Sequence, residues 1–396
     1  MYHAESQKLL NDGLYGSRPG RSAHDPALLE VLQNEIYRMS MKPGINYDLD
    51  AASCYDRIIP SLAAICSRRM GVPNNIIQVN MKTLEQARYH LKTNLGISTG
   101  HYRHQKKTPI YGTGQGSGNS PILWCFVCSA LFDAFESQGH GASFTCYNNN
   151  INIKAHIVGF VDDCTQRANN FSSAIQPTGE ELIRIMTKDV QTWNDLLWTS
   201  GGMLEQQKCS FHLIQSNWTS DGHPFLKGGT EGLQLSITHE GQCIPTNQIS
   251  NYQAHKTLGC HINPAFTNTQ AWMAIQKKNN KFSTLLETNY FTRSEAWTFY
   301  TAFYLPSITY ALPITPLTKY QCNQLDARFL RTLIPRCGYN RNMAREIRNA
   351  PRHMGGAGFR QLYVEQGILI VQQIQKFLNS PNTTIGKLLL ATISWT

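Results

Sequence analysis

The segment KAHIVGFVDDCTQ, Lys154 to Gln166, limits the fold more than any other. An apolar run of strand length ends in two adjacent aspartates, Asp162 and Asp163, and a polar stretch follows. Like charges that close repel, and a carboxylate removed from water is costly unless something pairs with it. Two readings stay open: a solvated turn at a strand end, where aspartate is common, or a cation held between carboxylates. A second segment has the same form. In GINYDLDAASCYD, Ile45, Tyr47 and Leu49 alternate with Asn46, Asp48 and Asp50, which predicts a strand ending at Asp50. If the two strands are neighbours in one sheet, Asp50 and the Asp162–Asp163 pair converge at one edge. Three carboxylates at one point need cations. Two Mg²⁺ ions, about 3.5–4 Å apart, would neutralise them and clamp the oxygens of a phosphoryl transfer. Asp56, beyond a turn from Asp50, reads as a structural hydrogen-bonder, and Asp48 as solvated or capping.

Between these segments lies GTGQGSGNSP, a glycine-rich loop entering the apolar helix SPILWCFVCSALFDAFES, with Pro121 in its first turn. Glycines let a backbone approach a ligand closely, and helix N-termini favour phosphate. The loop is no P-loop, because no Gly-Lys-Ser/Thr follows. Upstream, GSRPGRSAHDP is a Gly/Pro/Arg loop before a helix that starts at DPALLEVL. RIIPSLAAICSRRM and PNNIIQVNMKTLEQARYHLKT read as two further helices. RYHLKTNLGISTGHYRHQKK is basic with interleaved aromatics and reads either as a phosphate-tracking segment or as a solvated hairpin. ASFTCYN and NIKAHIVGFVDD, flanking NNN, read as a hairpin. TGEELIRIMTKDVQTWNDLLWTSG is an amphipathic helix stopped at Gly201, and KCSFHLIQ resumes as a strand. From about Asn263 the pattern turns helical, with breaks expected at Pro306, Pro313, Pro335 and GGAGF. The aromatics Trp272, Phe282, Trp297, Phe299, Tyr300, Phe303 and Tyr304 read as helix core.

Composition narrows the function classes. Hydrophobic residues make up 41% of 396, enough for a sizeable core. The formal charge of +10 favours an anionic partner, nucleic acid being the commonest. The 11 cysteines are scattered, and Cys125 and Cys128 sit in an apolar stretch with no second pair at zinc spacing, so both read as core. No disulfide framework is expected, which favours a reducing compartment, nucleus or cytoplasm. The N-terminal MYHAESQKLL has no apolar signal region, and no run of about 18 apolar residues predicts a membrane span.

The ordered set of motifs resembles reverse transcriptases, in particular those of non-LTR retrotransposons and, more distantly, group II intron maturases. DLDAASCYD is similar to their first catalytic motif, QGSGNSP to the Gln-Gly-x-x-x-Ser-Pro motif, and FVDD to aromatic-x-Asp-Asp. GGMLEQQKCSFHLI is similar to the fourth motif and HKTLGCHI to the Leu-Gly primer grip. GSRPGRS resembles Gly-Phe-Arg-Pro-Gly-Arg-Ser, with Ser17 in place of Phe, and PRHMGGAGFRQL a segment beyond the thumb. The likeness spans roughly residues 11–363.

The resemblance implies an α+β fold: a polymerase palm, an antiparallel sheet with helices on one face, followed by a mostly helical thumb and C-terminal region. It implies partial fingers at 1–43, palm at 44–262 and thumb with C-terminal extension at 263–396. The implied activity is RNA-directed DNA polymerisation, with an RNA template, a DNA primer and dNTPs as partners. Two Mg²⁺ ions, with Mn²⁺ as an alternative, would sit on Asp50, Asp162 and Asp163, and Lys208 would donate a proton to the pyrophosphate. Tyr55 takes the position that excludes a ribose 2′-OH, and Gln115 and Gly116 pack on the incoming nucleotide. Arg18, Arg21, Ser120, Pro121, Leu258 and Gly259 are the implied template and primer contacts, with loop anchoring an equal reading for the two arginines. The fingers motifs that precede GSRPGRS in the family are missing, so a piece of a longer element is expected. A binding module that keeps the fold without polymerising is the alternative.

Overall fold

The computed structural model describes residues 1–52, 54–105, 111–114, 116–147, 151–169, 176–228 and 232–395. It divides into two compact units: Met1–Pro26 with Ile36–Ser250 and Trp395, and Ala27–Glu35 with Asn251–Ser394.

The first unit is built on a six-stranded sheet of β1 (Gly44–Asp50), β2 (Ile157–Phe160), β3 (Asp163–Asn169), β4 (Ser210–Ile214), β5 (Leu235–His239) and β6 (Gln242–Gln248), ordered β5-β6-β4-β1-β3-β2. All neighbours are antiparallel except β4 and β6, so the expected antiparallel sheet carries one parallel pair. Register explains the faces. Ile45 lies opposite Ala168 and Leu213, Tyr47 opposite Phe211, and Leu49 opposite Cys164. These residues join Trp124, Phe132 and Phe135 of helix Ser120–Glu136 and Met186, Val190 and Trp193 of helix Gly179–Thr199 in one buried cluster. Each such side chain contributes roughly 1.5–3 kcal/mol by leaving water. The second helix starts at a capping box in which Thr178 and Glu181 satisfy each other's backbone N–H. Alternate positions put Asn46, Asp48 and Asp50 on the other face, opposite Arg167, Thr165 and Asp163.

That polar face corrects one expectation. The chain does not leave the sheet at Asp163; it turns and continues as β3, whose polar sequence DCTQRAN is mostly buried. Thr165 and Arg167 belong to a polar layer that includes Asn46 and Asp48, so polarity here marks a face and not a loop. The hairpin read around NNN forms from Ala142–Thr145 and Asn152–Ala155, while Asn148–Asn150 lie outside the described residues. The helix expected through Thr93 stops at Gln86, and Arg88–Arg103 folds back as a hairpin in which Arg88 and Tyr89 pair with Arg103 and Tyr102.

In the second unit, Thr269–Thr288, Lys319–Arg336 and Leu362–Leu378 are the long helices. Tyr300, Tyr304, Phe329 and Phe359 are buried at their centre, and Tyr304 stacks on Phe329 with centroids 3.4 Å apart. Trp272, Phe282, Trp297 and Phe299 pack against this core, but Phe303 is exposed. Pro306 does not break the chain's helix. It has no N–H for residue 302 and its ring crowds that turn, and the helix widens to a π form over Phe299–Tyr304 just before it. No described helix is long and apolar enough to cross a membrane.

Candidate active site

Phe160 pairs with Asp163 across the β2–β3 hairpin, so Val161 and Asp162 form a two-residue turn. Two-residue hairpin turns require positive φ, and Val161 sits at φ 63°, a conformation that costs a β-branched residue roughly 1–3 kcal/mol. The surroundings hold it there. Trp124 Nε1 donates to the Val161 carbonyl at 2.6 Å. Gly16 abuts the same turn so closely that a Cβ would stand 2.7 Å from Val161 N. Tyr15 N donates to the Gly159 carbonyl and Gly159 N to the Gly13 carbonyl, at 2.8 and 2.9 Å. The Gly/Pro/Arg loop is thus stitched to the strand that carries the aspartates. Trp124 and Gly16 were not singled out from the sequence. A tryptophan on an apolar helix was the available signal for one of them, because its indole N–H needs a partner.

Asp50 lies opposite Asp163 in the β1–β3 register, and the Ala51 N–H reaches the Asp162 carbonyl at 3.4 Å. Directly opposed residues share a face, so the Asp50 and Asp163 side chains leave the sheet on one side. The segment 203–208 is tied to the end of β1: Ala52 N donates to the Met203 carbonyl and Glu205 N to the Asp50 carbonyl, both at 2.9 Å. It delivers Lys208 Nζ to within 3.3 Å of Asp50 Oδ1. The hydrogen bond to Asp50 and that carboxylate's charge raise the Lys208 ammonium above its ordinary value. Asp48, expected to be solvated or capping, is buried and accepts from Thr165 Oγ1 at 3.2 Å. Asp56 is exposed.

Carboxylate oxygens are the donors a hard divalent ion takes, and Asp50, Asp162 and Asp163 supply them at one sheet end. Among the described residues no group of three or more His, Cys, Asp or Glu side chains is arranged to hold an ion. A polymerase-type Mg²⁺ does not require one, since it keeps waters and substrate phosphates beside one or two carboxylates. The donor set therefore fits in kind, with substrate completing the shell.

The glycine-rich loop is anchored to the helix that follows β1. Gly112 N donates to the Ile58 carbonyl and Thr113 N to the Tyr55 carbonyl, each at 2.8 Å. Gly112 has φ 92° and its Cα lies where any Cβ would meet the Asp56 backbone at 2.7 Å, so glycine is required. Tyr55 is half-buried against the core, and burial raises its phenol above the ordinary value. Gln115 lies outside the described residues; Gly116, at φ 92°, has open space around it. Pro121 opens the next helix at intermediate exposure. Ser120, expected at the template, is buried, and its Oγ lies 2.7 Å from both the Thr113 and Gly114 carbonyls. It latches the loop.

Arg18 is likewise turned inward. Its guanidinium is buried, forks onto both Glu5 oxygens at 2.8 Å and donates to the Asn11 and Leu14 carbonyls. Burial alone would raise the Glu5 carboxyl, but the Arg18 hydrogen bond and charge outweigh it and bring it below its ordinary value. Arg21 donates to the Asp12 and Leu14 carbonyls and covers the Tyr15 ring at 4.9 Å. Both arginines fix the loop, which is the anchoring alternative. In the second unit, Leu258 and Gly259 form the turn between strands His255–Thr257 and Cys260–Ile262, with φ 49° and 84°. Tyr310 Oη donates to the Leu258 carbonyl at 2.8 Å and so braces that turn.

No curated protein matches the chain. Among solved structures it is similar to telomerase from Candida albicans in complex with a TWJ fragment of telomeric RNA, at 12% identity and TM-score 0.38, covering 100% of this chain and 51% of that one. It is also similar to telomerase from Candida tropicalis with the same kind of fragment, at 12% identity and TM-score 0.41, covering 99% and 55%. The apo Candida tropicalis telomerase gives 13% identity and TM-score 0.37, covering 98% and 59%. The chain thus spans little more than half the length of these telomerase chains. The family model described as reverse transcriptase (RNA-dependent DNA polymerase) matches residues 2–262, well over half of the sequence. The chain belongs to the reverse transcriptase family.

Proposed function

We propose that this chain is an RNA-directed DNA polymerase of a non-LTR retrotransposon-like element, adding dNTPs to a DNA primer 3′-OH on an RNA template. The observation that carries the reading is the β1–β3 register, with Asp50 opposite Asp163 beside the Val161–Asp162 turn. In this reading residues 1–43 are partial fingers, 44–262 the palm and 263–396 the thumb with its extension. Asp50 and Asp162, with Asp163 in support, would hold two divalent ions, Mg²⁺ or Mn²⁺, and bound ions would supply charge neutralisation for an in-line displacement at the α-phosphate. The protein's share is positioning and electrostatics. Lys208 releases Asp50 as substrate arrives and gives its proton to the leaving pyrophosphate. Tyr55 closes the space a ribose 2′-OH would need, and Gly116 lies along the nucleotide, the role the resemblance also gives Gln115. Pro121 and the loop it closes face the template, and the Leu258–Gly259 turn grips the primer.

A second reading has one observation in its favour. Lys208 Nζ on Asp50 Oδ1 at 3.3 Å already neutralises one of the carboxylates without an ion, which suits a module that grips RNA without polymerising. One experiment separates the two. A labelled DNA primer is annealed to an RNA template and incubated with the purified chain, dNTPs or NTPs, and Mg²⁺ or EDTA. Extension with dNTPs and Mg²⁺ alone supports the polymerase. Retained binding of the hybrid with no extension in Mg²⁺ selects the binding module.

A further inference from the structure

The Arg88–Arg103 hairpin carries chemistry that the proposed active site does not use. Arg88 lies directly opposite Arg103, and Tyr89 opposite Tyr102. Opposed residues share a face and faces alternate along each strand. Just beyond these paired residues the His90 and His101 rings stand 5.6 Å apart, with His90 Nδ1 3.0 Å from the Ser98 carbonyl. Tyr89 and Tyr102, stacked at 5.2 Å, take the side away from the arginines, where Tyr89 and His104 line an apolar cavity of about 510 Å³ with Ile65, Met81 and Leu84. The tyrosine side thus meets helices Pro60–Arg69 and Asn74–Gln86, and Arg88, His90, His101 and Arg103 are all exposed.

Like charges directly opposite one another destabilise a strand pair. Some arginines of the chain are neutralised by a carboxylate, as Arg18 by Glu5, Arg69 by Asp133 and Arg328 by Glu287. Among the described residues neither Arg88 nor Arg103 has a carboxylate partner. An anion between the two guanidinia removes the repulsion, and guanidinium forks match phosphate oxygens. The His90–His101 rung stands two residues further along, about 6.6 Å at strand rise, comparable to the spacing of neighbouring phosphates on one strand. A single column of two rungs fits one strand and not the two of a duplex.

We propose that the outer face of this hairpin grips the phosphodiester backbone of a single nucleic-acid strand, with Arg88 and Arg103 straddling one phosphate and His90 and His101 facing the next. The proposal rests on the nucleic-acid reading above and adds where, and by which side chains, an unpaired strand is held. The apolar tip, with Leu91, Leu95 and Ile97 exposed, offers a lipid surface as the competing occupant.

The test measures binding of a fluorescent single-stranded RNA 12-mer by anisotropy across a salt series. It compares the full chain, R88Q/R103Q, and the charge-matched K154Q/K188Q, whose lysines are exposed elsewhere in the same unit. R88Q/R103Q is expected to weaken binding about tenfold at low salt and to flatten the slope of log K against log salt by roughly 0.7, one single-strand phosphate. K154Q/K188Q is expected to change neither. Equal losses in both variants, no loss in R88Q/R103Q, or arginine-dependent binding of anionic vesicles in place of RNA would overturn the proposal. A full chain that extends primers while R88Q/R103Q binds RNA normally defeats this inference alone. A full chain that binds no single strand defeats this inference, and the polymerase reading falls with it only if the same chain extends no primer.

Discussion

Lys208 Nζ and Asp50 Oδ1 form an ion pair at 3.3 Å, across 158 residues of sequence, at the sheet end where Asp162 and Asp163 also emerge. The pair is solvent-facing, with the lysine side chain 64% exposed, so it adds little to stability. Lys208→Met is expected to leave the melting midpoint unchanged while lowering primer extension by about 10²–10⁴, the range of a lost general acid. Thermal melts and single-turnover extension on one preparation check this. A Lys208→Met enzyme that extends normally removes the lysine from the chemistry.

Arg18 makes the opposite prediction. Its guanidinium is buried and forked onto Glu5, so Arg18→Ala strips the Glu5 carboxylate of that fork, while the Leu14 carbonyl keeps Arg21 as a donor. Loss of one partner of a buried pair costs about 3–5 kcal/mol. Denaturant unfolding should show that loss. Arg18→Lys should recover part of it without restoring the fork. A variant as stable as the parent but weaker for RNA would return Arg18 to the phosphate contacts.

Ser120→Ala removes the latch on the Thr113 and Gly114 carbonyls. Leaving buried acceptors unsatisfied costs about 1–3 kcal/mol, and the loosened loop carries Gly116. The expected signature is a raised dNTP KM, with affinity for a primer–template hybrid unchanged. Loss of hybrid affinity with an intact KM would contradict it.

In the second unit, Asp326 accepts the Leu362 N–H at 3.1 Å at the start of helix Leu362–Leu378. Burial pushes its carboxyl up to about 7 from 3.8, against the smaller opposing effects of that hydrogen bond and of Arg348. The folded state therefore holds the proton more tightly than the unfolded chain. The stability this contributes is full below pH 3.8 and is lost as pH rises through about 7, on the order of 4 kcal/mol in total. Unfolding monitored between pH 5 and 8 should show stability falling with pH. Asp326→Asn, which keeps the acceptor and cannot ionise, should flatten that part of the profile. An unchanged slope in Asp326→Asn would assign the pH dependence to another group.

The strands and helices that could be read from the sequence were those whose pattern reflects one dry face. Ile45, Tyr47 and Leu49 alternate because they meet Ala168, Phe211 and Cys164, and helix Gly179–Thr199 announces itself by its apolar stripe and the Gly201 stop. β3 was illegible because its polar side chains face the polar layer of Asn46 and Asp48, a pairing made over a hundred residues away. The early stop of helix Asn74–Gln86 was hidden for a similar reason: Arg88 and Tyr89 are held by Arg103 and Tyr102, partners that local periodicity cannot register. At the candidate site, the acidic segments were legible as a pattern. The supports were not, since Arg18 needs Glu5 and the Val161 turn needs Trp124 and Gly16. Motif positions such as Ser120 name a residue without saying which way its hydroxyl points.

The central claim is that Asp50 and the Asp162–Asp163 pair act as one phosphoryl-transfer site. Its most direct test is the single-nucleotide incorporation rate on an RNA template for the parent chain, Asp50→Asn, Asp162→Asn and the double variant. The account predicts that each single change lowers the rate at least about 10³-fold, with hybrid affinity retained, and that the double change is no worse than either, because residues acting as a unit are not additive. A rate within about tenfold of the parent in either single variant would contradict it.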